Sequence, residues 1–397
     1  MKFFLQILIF TLLAISVKAQ TATSIANGNW TNPLTWNCTC VPINGYSVTI
    51  NHSVTLNTSM VFNTGGITIN NTGSLIQDAS LNRDIWINGG YFSNSGLANF
   101  RYFLVSAGSL NNFSSFTVSA LTNSVAFANG GSITMDSMFV AGNLNNSPMG
   151  KIIGDSLTVG AGVTLSNFGR VIITAQTNSG TVTNVNYMSS SYYTNSGTYT
   201  NSDSLMIGAS FWNKGKFNNN AGAKVRITKN FHNYHPSKTA CFDNNGNVTI
   251  LDSWYNTDSV TGGSSGYFQV QDTSANSGFM KKNFTFCDLT PATSNVDLNS
   301  GSIASGINFS CSVGIKENEL AEAKLYPNPS GSIFNIRSDI AELSVVISDI
   351  SGRIVFEKTI SRGDHEIELK YPDGVYLVKL TDKQNGNSVT KRLVIQD

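Results

Sequence analysis

One short sequence unit occurs three times in the chain, as Asn178-Ser-Gly-Thr-Val182, Asn195-Ser-Gly-Thr-Tyr199 and Asn213-Lys-Gly-Lys-Phe217. The copies follow one another at nearly equal intervals, and the tripeptide Asn-x-Gly occurs 13 times between Asn63 and Gly301 and nowhere else. Each copy runs into alternating polar and apolar residues, which predict a short strand with one buried face. Asn and Gly accept the left-handed geometry of a tight corner. Strand-and-turn units at a nearly constant period predict a solenoid of stacked coils.

Similar alternating runs, from Ser47-Val-Thr-Ile50 to Asn247-Val-Thr-Ile250, extend this pattern over most of the chain. In a parallel solenoid identical side chains stack in rows, so Asn amides can satisfy one another inside a very polar chain. Elsewhere the intervals between Asn-x-Gly corners are irregular, so one or two β-sandwiches remain the alternative. The predicted fold class is all-β, with a parallel β-helix or β-solenoid favoured.

Charged residues are distributed unevenly over the 397 residues. Residues 21–315 contain 23 charged side chains and no Glu, whereas residues 316–397 contain 24, including all seven Glu. Two such different surfaces predict two domains with a boundary near residue 315. The net charge of +1 favours neither nucleic acid nor an anionic membrane as a partner.

The segment from Met1 to Ala19 has the three parts of a secretory signal peptide. Lys2 supplies a positive charge, the stretch 3–17 is largely apolar, and Val17-Lys-Ala19 offers small residues for cleavage after Ala19. The apolar run is shorter than the ~20 residues that a membrane-spanning helix needs. We therefore predict Sec export to the periplasm and no transmembrane span in the mature protein.

The passenger, defined as residues 20–315, opens with Asn29-Trp30, Leu34-Thr-Trp36 and Val41-Pro42. This opening resembles the Trp-rich lead-in of exported β-helical repeat proteins. The two Trp rings would cover the first coil, which otherwise exposes its core and unpaired backbone groups. We therefore predict an N-terminal cap at about residues 25–50.

The last fifth of the chain carries the most specific motifs. It contains Lys324-Leu-Tyr-Pro-Asn-Pro-Ser330, Ser351-Gly-Arg-Ile-Val355, Gly374-Val-Tyr-Leu-Val378 and the basic closing run Lys391-Arg-Leu-Val-Ile395. In this order, these motifs resemble the type A C-terminal sorting domain of type IX secretion substrates, the Por secretion system family known from Bacteroidetes. An ordinary immunoglobulin-like binding module is the alternative.

Turn signals between the alternating runs of this tail predict a small antiparallel immunoglobulin-like β-sandwich at residues 324–397, after a linker at 316–323. The resemblance implies recognition by the type IX secretion translocon and its processing machinery. It also implies an extracellular or outer-surface location on a Gram-negative bacterium. The residues expected to form the sorting signal are Tyr326, Pro327, Asn328, Pro329, Gly352, Arg353, Gly374, Val375, Tyr376 and Lys391.

All five cysteines, Cys38, Cys40, Cys241, Cys287 and Cys311, lie in the passenger. Export permits disulfides. Cys38 and Cys40 stand too close for an ordinary mutual bridge, and Cys287 with Cys311 is the favoured pair. The odd number leaves at least one thiol free or intermolecular. No second ligand pair at zinc spacing accompanies Cys38-Thr-Cys40, so no metal site is predicted.

A basic and aromatic segment, residues 211–238, contains six Lys or Arg and no acid. If these groups share one face, they would suit an anionic glycan or surface lipopolysaccharide, with candidate contacts at Trp212, Lys214, Lys216 and Arg226. In the alternative, the rings point into the coil and the cations only keep the outside soluble. His232 and His235 are interpreted as exposed loop residues, since no nearby acid or Cys completes a metal site.

Four Asp-Ser-apolar triplets resemble O-glycosylation acceptors of the same bacteria. Their serines are Ser137, Ser156, Ser204 and Ser259.

The passenger has 11 acidic residues, and they are widely scattered along the sequence. Polysaccharide lyases and hydrolases need converging carboxylates, so no catalytic residue, metal or cofactor is predicted. The sequence favours a non-enzymatic exported solenoid of the adhesin-like or glycan-contacting kind. The alternatives are a carbohydrate-active β-helix enzyme, either a polysaccharide lyase or a hydrolase, and a structural spacer.

Overall fold

The computed structural model describes residues 20–81, 83–235, 237, 240–291, 295–311, 323–383 and 388–396. Two compact units are distinguished, Met1–Cys311 and Ser312–Asp397, and each is described by itself. The predicted signal peptide, with cleavage after Ala19, and residues 316–322 of the predicted linker lie outside the described residues. The signal peptide and the linker therefore stay predictions.

The described residues of the first unit form short β-strands and one short 3-10 helix at Pro33–Thr35. The strands are β1 Gln20–Thr23, β2 Gly28–Asn29, β3 Tyr46–Ile50, β4 Ser53–Leu56, β5 Met60–Phe62, β6 Gly66–Ile69, β7 Ser74–Gln77, β8 Asp84–Asn94, β9 Leu97–Asn112, β10 Ser115–Asn123, β11 Phe127–Asn129, β12 Ser132–Val140, β13 Leu144–Asn146, β14 Lys151–Val159, β15 Thr164–Asn167, β16 Arg170–Asn178, β17 Thr181–Asn184, β18 Tyr187–Asn195, β19 Thr198–Asn201, β20 Ser204–Ile207, β21 Phe211–Asn213, β22 Lys216–Asn219, β23 Lys224–Ile227, β24 Phe231–Asn233, β25 Cys241–Asn244, β26 Asn247–Ile250, β27 Trp254–Asn256, β28 Ser259–Gly262, β29 Tyr267–Val270, β30 Ser274–Asn276, β31 Phe279–Met280, β32 Thr285–Asp288, β33 Leu298–Asn299 and β34 Ser302–Ile303.

Each coil of this unit has three sides, as residues 115–131 illustrate. The pairing of β10 is interrupted at Ser119, which divides this strand into two sides, and β11 forms the third. Every side pairs in parallel with the same side of the neighbouring coils, so Ser115 pairs with Ser132 at the start of the next coil. The described residues make about 13 turns. This pairing confirms the solenoid prediction and excludes the sandwich alternative for this unit.

A continuous apolar core fills the coils. In the coil at 115–131, the side chains of Phe116, Val118, Leu121 and Phe127 point inward and are at most 2% exposed. The residues between them face outward, as the period-two pattern predicts. Burying one such side chain stabilises the fold by roughly 1.5–3 kcal/mol, so a few inward residues per coil carry much of the packing energy.

Two rows of Asn side chains run through successive coils beside this core, and every member except the terminal Asn299 is buried. Within each row, the Asn Nδ2 donates to the Asn Oδ1 one coil further on, at 2.8–3.0 Å. The first row is Asn94, Asn112, Asn129, Asn146, Asn167, Asn184, Asn201, Asn219 and Asn244; the second is Asn178, Asn195, Asn213, Asn233, Asn256, Asn276 and Asn299. Since each amide satisfies the next, burial avoids the cost of an unpaired polar group. The predicted Asn rows are confirmed.

The two Trp rings of the opening segment are buried against the first coils. Trp30 and Trp36 meet edge to face with centroids 5.0 Å apart. The indole nitrogen of Trp30 donates to the Pro42 carbonyl at 3.0 Å, and that of Trp36 donates to the Trp30 carbonyl at 2.9 Å. The segment that follows β2 is therefore held at both ends by buried indole N–H groups. The bounds of the predicted cap stay a prediction.

The cysteine prediction is correct in one pair and wrong in the other. Cys287 and Cys311 form a disulfide, as predicted, and Cys241 is a free thiol. Cys38 and Cys40 also form a disulfide, so the prediction that they stand too close for a mutual bridge is wrong. The bridge is possible because Thr39 adopts a left-handed φ of 53°, which folds the chain back on itself. The two Cα atoms are then 5.1 Å apart, within the usual range for a disulfide.

The second unit is a small antiparallel β-structure, as predicted. Its described strands are β35 Lys324–Tyr326, β36 Ile333–Asp349, β37 Ile354–Glu368, β38 Gly374–Asp382 and β39 Ser388–Ile395. The pairing of β36 with β37 shifts register between Ser338 and Glu342, so both long strands continue through two halves of the sheet. Apolar side chains from both halves share one core, including Phe334 and Val345. Burial of these apolar side chains stabilises this small unit.

Candidate functional site

Three ring-bearing side chains form an outward row on one side of the solenoid. Trp212, His232 and Tyr255 occupy paired positions in β21, β24 and β27. The Trp212 and His232 rings are 3.8 Å apart between centroids, the His232 and Tyr255 rings are 4.9 Å apart, and both pairs lie within 9° of parallel. Neighbouring strands in a sheet are about 4.8 Å apart, which is close to the spacing of stacked rings. We call these three residues the aromatic row.

Strand alternation explains why the aromatic row faces solvent. Each of its residues stands between an inward aromatic residue and a ladder Asn, in Phe211-Trp-Asn213, Phe231-His-Asn233 and Trp254-Tyr-Asn256. The inward ring packs into the core and the Asn joins the second Asn row, so the middle residue must point outward. The core and the Asn row therefore hold the aromatic row in register.

The row presents ring edges to solvent, because stacking covers both faces of His232 and the inner faces of Trp212 and Tyr255. Aromatic edges are electropositive, and these edges carry the N–H of Trp212, the ring nitrogens of His232 and the hydroxyl of Tyr255. Within the described residues, no side-chain hydrogen bond engages these three rings. Lys214 directly follows β21, and Lys229 shortly precedes β24. Such an edge suits oxygen-rich ligands, and anionic ones near the lysines.

Burial of His232 between the two rings lowers the pKa of its imidazole below the ordinary value of 6.5. The folded state therefore favours neutral His232. Below pH 6.5, the imidazole takes up a proton more readily in the unfolded chain than in the folded one. The contribution of His232 to the free energy of unfolding is therefore complete above pH 6.5 and is lost as the pH falls toward the lower pKa of the folded state.

We expect His232 to titrate below the ordinary histidine pKa of 6.5 in an NMR pH titration of the four histidine ring signals. Burial causes the expected shift, because a charged imidazole loses hydration there. The His232→Asn variant identifies the signal by removing it. A His232 midpoint at or above 6.5 would contradict this prediction.

The structure separates the four predicted glycan contacts. Trp212 lies in the aromatic row, and Lys214 lies at the corner directly after it. Lys216 belongs to β22 on a second side of the coil, and Arg226 belongs to β23 on the third. The segment therefore does not gather its basic and aromatic groups on one face. Its Phe residues, Phe211, Phe217 and Phe231, point inward, whereas Trp212 and Tyr234 are exposed.

For two members of the row, the structure differs from what the sequence predicts. His232 lies in a strand and is half-buried, so its interpretation as an exposed loop residue is wrong. Tyr255 was not singled out. A signal was present in the repeated pattern aromatic-aromatic-Asn or aromatic-His-Asn, whose ladder Asn residues lie 20 and 23 positions apart. Those irregular steps hide the row until the strand pairing is known.

The four candidate O-glycosylation serines occupy different environments. Ser137 and Ser156 pair in β12 and β14, so they are neighbours on adjacent coils. Ser204 begins β20 and is half-buried. Ser259 begins β28, and the preceding Asp258 is buried and accepts a hydrogen bond from the Ala240 backbone. Modification of these serines stays a prediction.

In the second unit, the Tyr-Pro-Asn-Pro segment is fastened to the last strand. The Asn328 carboxamide donates to the Arg392 carbonyl at 2.7 Å and accepts from the Val394 N–H at 2.9 Å. Both flanking prolines, Pro327 and Pro329, follow cis peptide bonds. The Tyr326 hydroxyl donates to Asp364, and this hydrogen bond raises the pKa of Tyr326.

These contacts shape a recess of about 430 Å³. Tyr326 and Asn328 line it together with three cations, Lys324, Lys391 and Arg392. The fold thus brings the first and last motifs of the predicted sorting signal together.

The other predicted sorting residues lie at two turns between described strands of this unit. Gly352 has a left-handed φ of 88° and closes the turn in which Arg353 Nε donates to Asp349 at 3.0 Å. Glycine suits this position because it has no Cβ to clash. Gly374, Val375 and Tyr376 open β38, where the Tyr376 hydroxyl donates to the Pro372 carbonyl at 2.7 Å.

Within the described ranges, no three His, Cys, Asp or Glu side chains come together as a metal site would require. None of the helices in that part of the chain is both long and apolar enough to span a bilayer.

Residues 324–396 match the family described as secretion system C-terminal sorting domain. The fold and this match define the protein as a β-solenoid sorted by type IX secretion. The sorting domain implies interaction with the type IX secretion machinery and export to the cell surface or beyond it.

Two individual proteins are similar to parts of the chain. An endo-acting ulvan lyase of Formosa agariphila is 31% identical over 90 residues, which cover 21% of this chain and 17% of that protein. This chain thus matches about one sixth of that relative's length. A solved structure of PorZ, an essential bacterial surface component of the type-IX secretion system of Porphyromonas gingivalis, is 24% identical. The likeness covers 20% of this chain and 12% of that one, with a TM-score of 0.18.

Proposed function

We propose that the solenoid is a non-enzymatic, adhesin-like module that contacts glycans at the cell surface or outside the cell. The aromatic row carries this proposal. It offers three stacked rings on consecutive coils, with polar edge atoms that lack side-chain hydrogen bonds within the described residues. Trp and Tyr provide large contact area with one polar group each, which is the usual basis of recognition by exposed aromatic residues.

The ligand class follows from the row's chemistry. Ring edges and N–H donors favour acceptor-rich sugars over apolar surfaces. Lys214 and Lys229 add positive charge near Trp212 and His232, which supports an anionic glycan such as an acidic polysaccharide or surface lipopolysaccharide. Lys216 and Arg226 lie on other sides of the coil and are not part of this contact.

We expect Trp212→Ala to weaken binding of an acidic polysaccharide by roughly tenfold or more, as truncation of a central Trp contact does. Binding of the whole purified chain and its variants is first screened on a glycan array, and the affinity for the best acidic polysaccharide is then measured by calorimetry. Trp86→Ala is the matched control. Trp86 is 41% exposed against 39% for Trp212, but its indole N–H already donates to Ser106 Oγ at 2.7 Å.

Equal losses in the two Trp variants would contradict a specific site at the aromatic row. Absence of binding to every acidic and neutral glycan on the array would contradict the glycan-contacting function itself.

A carbohydrate-active enzyme is the second candidate, and the partial similarity to an ulvan lyase favours it. A match over 90 residues cannot span the solenoid, which extends from residue 20 to 311. An activity screen on the array glycans separates the two candidates, because a lyase would release unsaturated sugar products that absorb in the ultraviolet. Such products would replace the binding proposal with the enzymatic one.

For the second unit, we propose that the recess beside Asn328 is the surface that the secretion machinery reads. Tyr326 and Asn328 come from the beginning of this unit and Lys391 from its last strand, yet all three line the recess. Three cations around one recess suit an acidic partner surface.

A further inference from the structure

We propose that the Cys38–Cys40 disulfide is an exchange-competent redox site that accepts two electrons from thiols, whereas Cys287–Cys311 is the structural bridge. The two disulfides differ in span, exposure and backbone conformation. Exposure and backbone strain make the first bridge the more easily reduced one, and its short span means that the fold loses little stability when it opens. This proposal does not depend on glycan contact by the solenoid.

The Cys38–Cys40 bridge adds little to the fold. It joins residues two positions apart, whereas Cys287–Cys311 joins residues 24 apart. A disulfide stabilises mainly by restricting the unfolded chain, and the restriction grows with the length of the closed loop. The loop around Cys38 and Cys40 is also held without the bridge. The Asn37 backbone N–H donates to the Thr23 carbonyl at 2.9 Å, and Trp30 anchors Pro42 on the other side.

The oxidised form also carries backbone strain. Thr39, between the two cysteines, has a φ of 53°. The left-handed region is unfavourable for any residue with a Cβ, and more so for a β-branched one. Reduction opens the ring and lets Thr39 return to an extended conformation. The strain therefore favours the dithiol, and strained or exposed disulfides are the labile ones.

Solvent exposure also makes Cys38–Cys40 the more easily reduced disulfide. Asn37, Cys38 and Thr39 are exposed and Cys40 is half-buried, whereas Cys287 is fully buried. An incoming thiolate can therefore reach the Cys38 sulfur. The chain has no Lys, Arg, Asp or Glu between residues 19 and 77, so no nearby charge in that segment activates the thiols. The site is a ready electron acceptor by virtue of strain and exposure.

The exchange balances without a further co-reactant. A thiolate attacks Cys38 Sγ, a mixed disulfide forms, and the electron pair of the broken bond leaves with Cys40 Sγ, which takes a proton from water. A second thiolate then attacks the sulfur of the bound thiol and releases the Cys38 thiolate. Overall, two thiols and the Cys38–Cys40 disulfide are converted into one new disulfide and the Cys38, Cys40 dithiol.

The test is a redox titration of the whole purified chain in glutathione buffers of increasing reducing strength, quenched by alkylation and read by peptide mass spectrometry. We expect Cys38–Cys40 to be half reduced in a buffer at least roughly tenfold more oxidising than Cys287–Cys311 requires, as the cost of one left-handed residue implies. A parallel arm with a two-cysteine peptide as reductant shows whether protein thiols also react.

Two variants at position 39 isolate the cause. Thr39→Gly removes the energetic cost of the left-handed conformation, although it also increases the conformational freedom of the reduced chain. We therefore expect half reduction of its disulfide to require a buffer roughly threefold to tenfold more reducing than the wild-type protein requires. Thr39→Val keeps the branched Cβ, and its midpoint should stay within about twofold of wild type. Joint reduction of both bridges, or earlier reduction of Cys287–Cys311, would overturn the proposal. An unchanged midpoint in Thr39→Gly would overturn it as well, because strain would then play no part.

Discussion

Truncation after Cys311 is expected to abolish delivery of the protein to the outside of the cell. The sorting domain at residues 324–396 is removed, while the solenoid keeps its own continuous core and both disulfides. The truncated solenoid should therefore fold and remain in the periplasm. Immunodetection in the periplasm, on the cell surface and in the medium measures the distribution, with the whole chain as reference.

A single substitution tests whether export depends on the recess itself and not only on the presence of the domain. Asn328→Ala removes the two hydrogen bonds that fasten the Tyr-Pro-Asn-Pro segment to β39, and we expect export to fall while the solenoid stays folded. Ser348→Ala is a suitable control in the same unit, because Ser348 lies in the part of β36 that does not pair with β35 and outside the residues that line the recess. Full export of the chain truncated after Cys311 would refute the role assigned to the second unit.

Asn184→Ala is expected to destabilise the solenoid by roughly 2–4 kcal/mol, because it leaves several buried groups without partners. Asn184 is fully buried in the first Asn row. Its amide donates to Asn201 Oδ1 at 2.9 Å and to two backbone carbonyls at 3.0 Å, and its Oδ1 accepts from Asn167 at 2.8 Å. Alanine removes all of these hydrogen bonds and leaves a small cavity.

The matched control is Asn186→Ala, two residues further along the chain. The Asn186 amide makes an exposed hydrogen bond to the Phe168 carbonyl at 3.1 Å. We expect its loss to cost roughly 0.5 kcal/mol. Urea unfolding followed by circular dichroism measures the difference. Hydrogen exchange shows whether the loss of protection is confined to the coils next to Asn184, as expected for a fold of nearest-neighbour contacts. Equal effects of the two substitutions would show that the row adds no stability beyond that of a surface amide.

Local pattern was sufficient to predict the strands, the coils and the Asn rows. The alternation of apolar and polar residues determines which side chains are buried, and the Asn-x-Gly corners mark where strands end. The solenoid prediction followed from the repeat at Asn178, Asn195 and Asn213. The choice against a sandwich required the parallel pairing, since both folds use the same alternation.

Contacts between distant parts of the chain were harder to predict. The aromatic row was only partly found because the ladder Asn residues beside its members lie 20 and 23 positions apart, and the extra residues are accommodated in the turns. Spacing alone does not predict the Cys38–Cys40 bridge, because it forms only with the left-handed backbone conformation of Thr39.

By itself, the sequence determined that this protein is an all-β chain of repeated strand-and-turn units followed by a sorting domain, because period, composition and short motifs are properties of neighbouring residues. Only the tertiary structure decided that the strands pair in parallel as a solenoid, and on which side of the coil each outward-facing residue lies. Insertions in the turns change the spacing along the chain but leave the register between coils intact. Trp212, His232 and Tyr255 therefore meet on one side, while Lys216 and Arg226, close to Trp212 in sequence, face other directions.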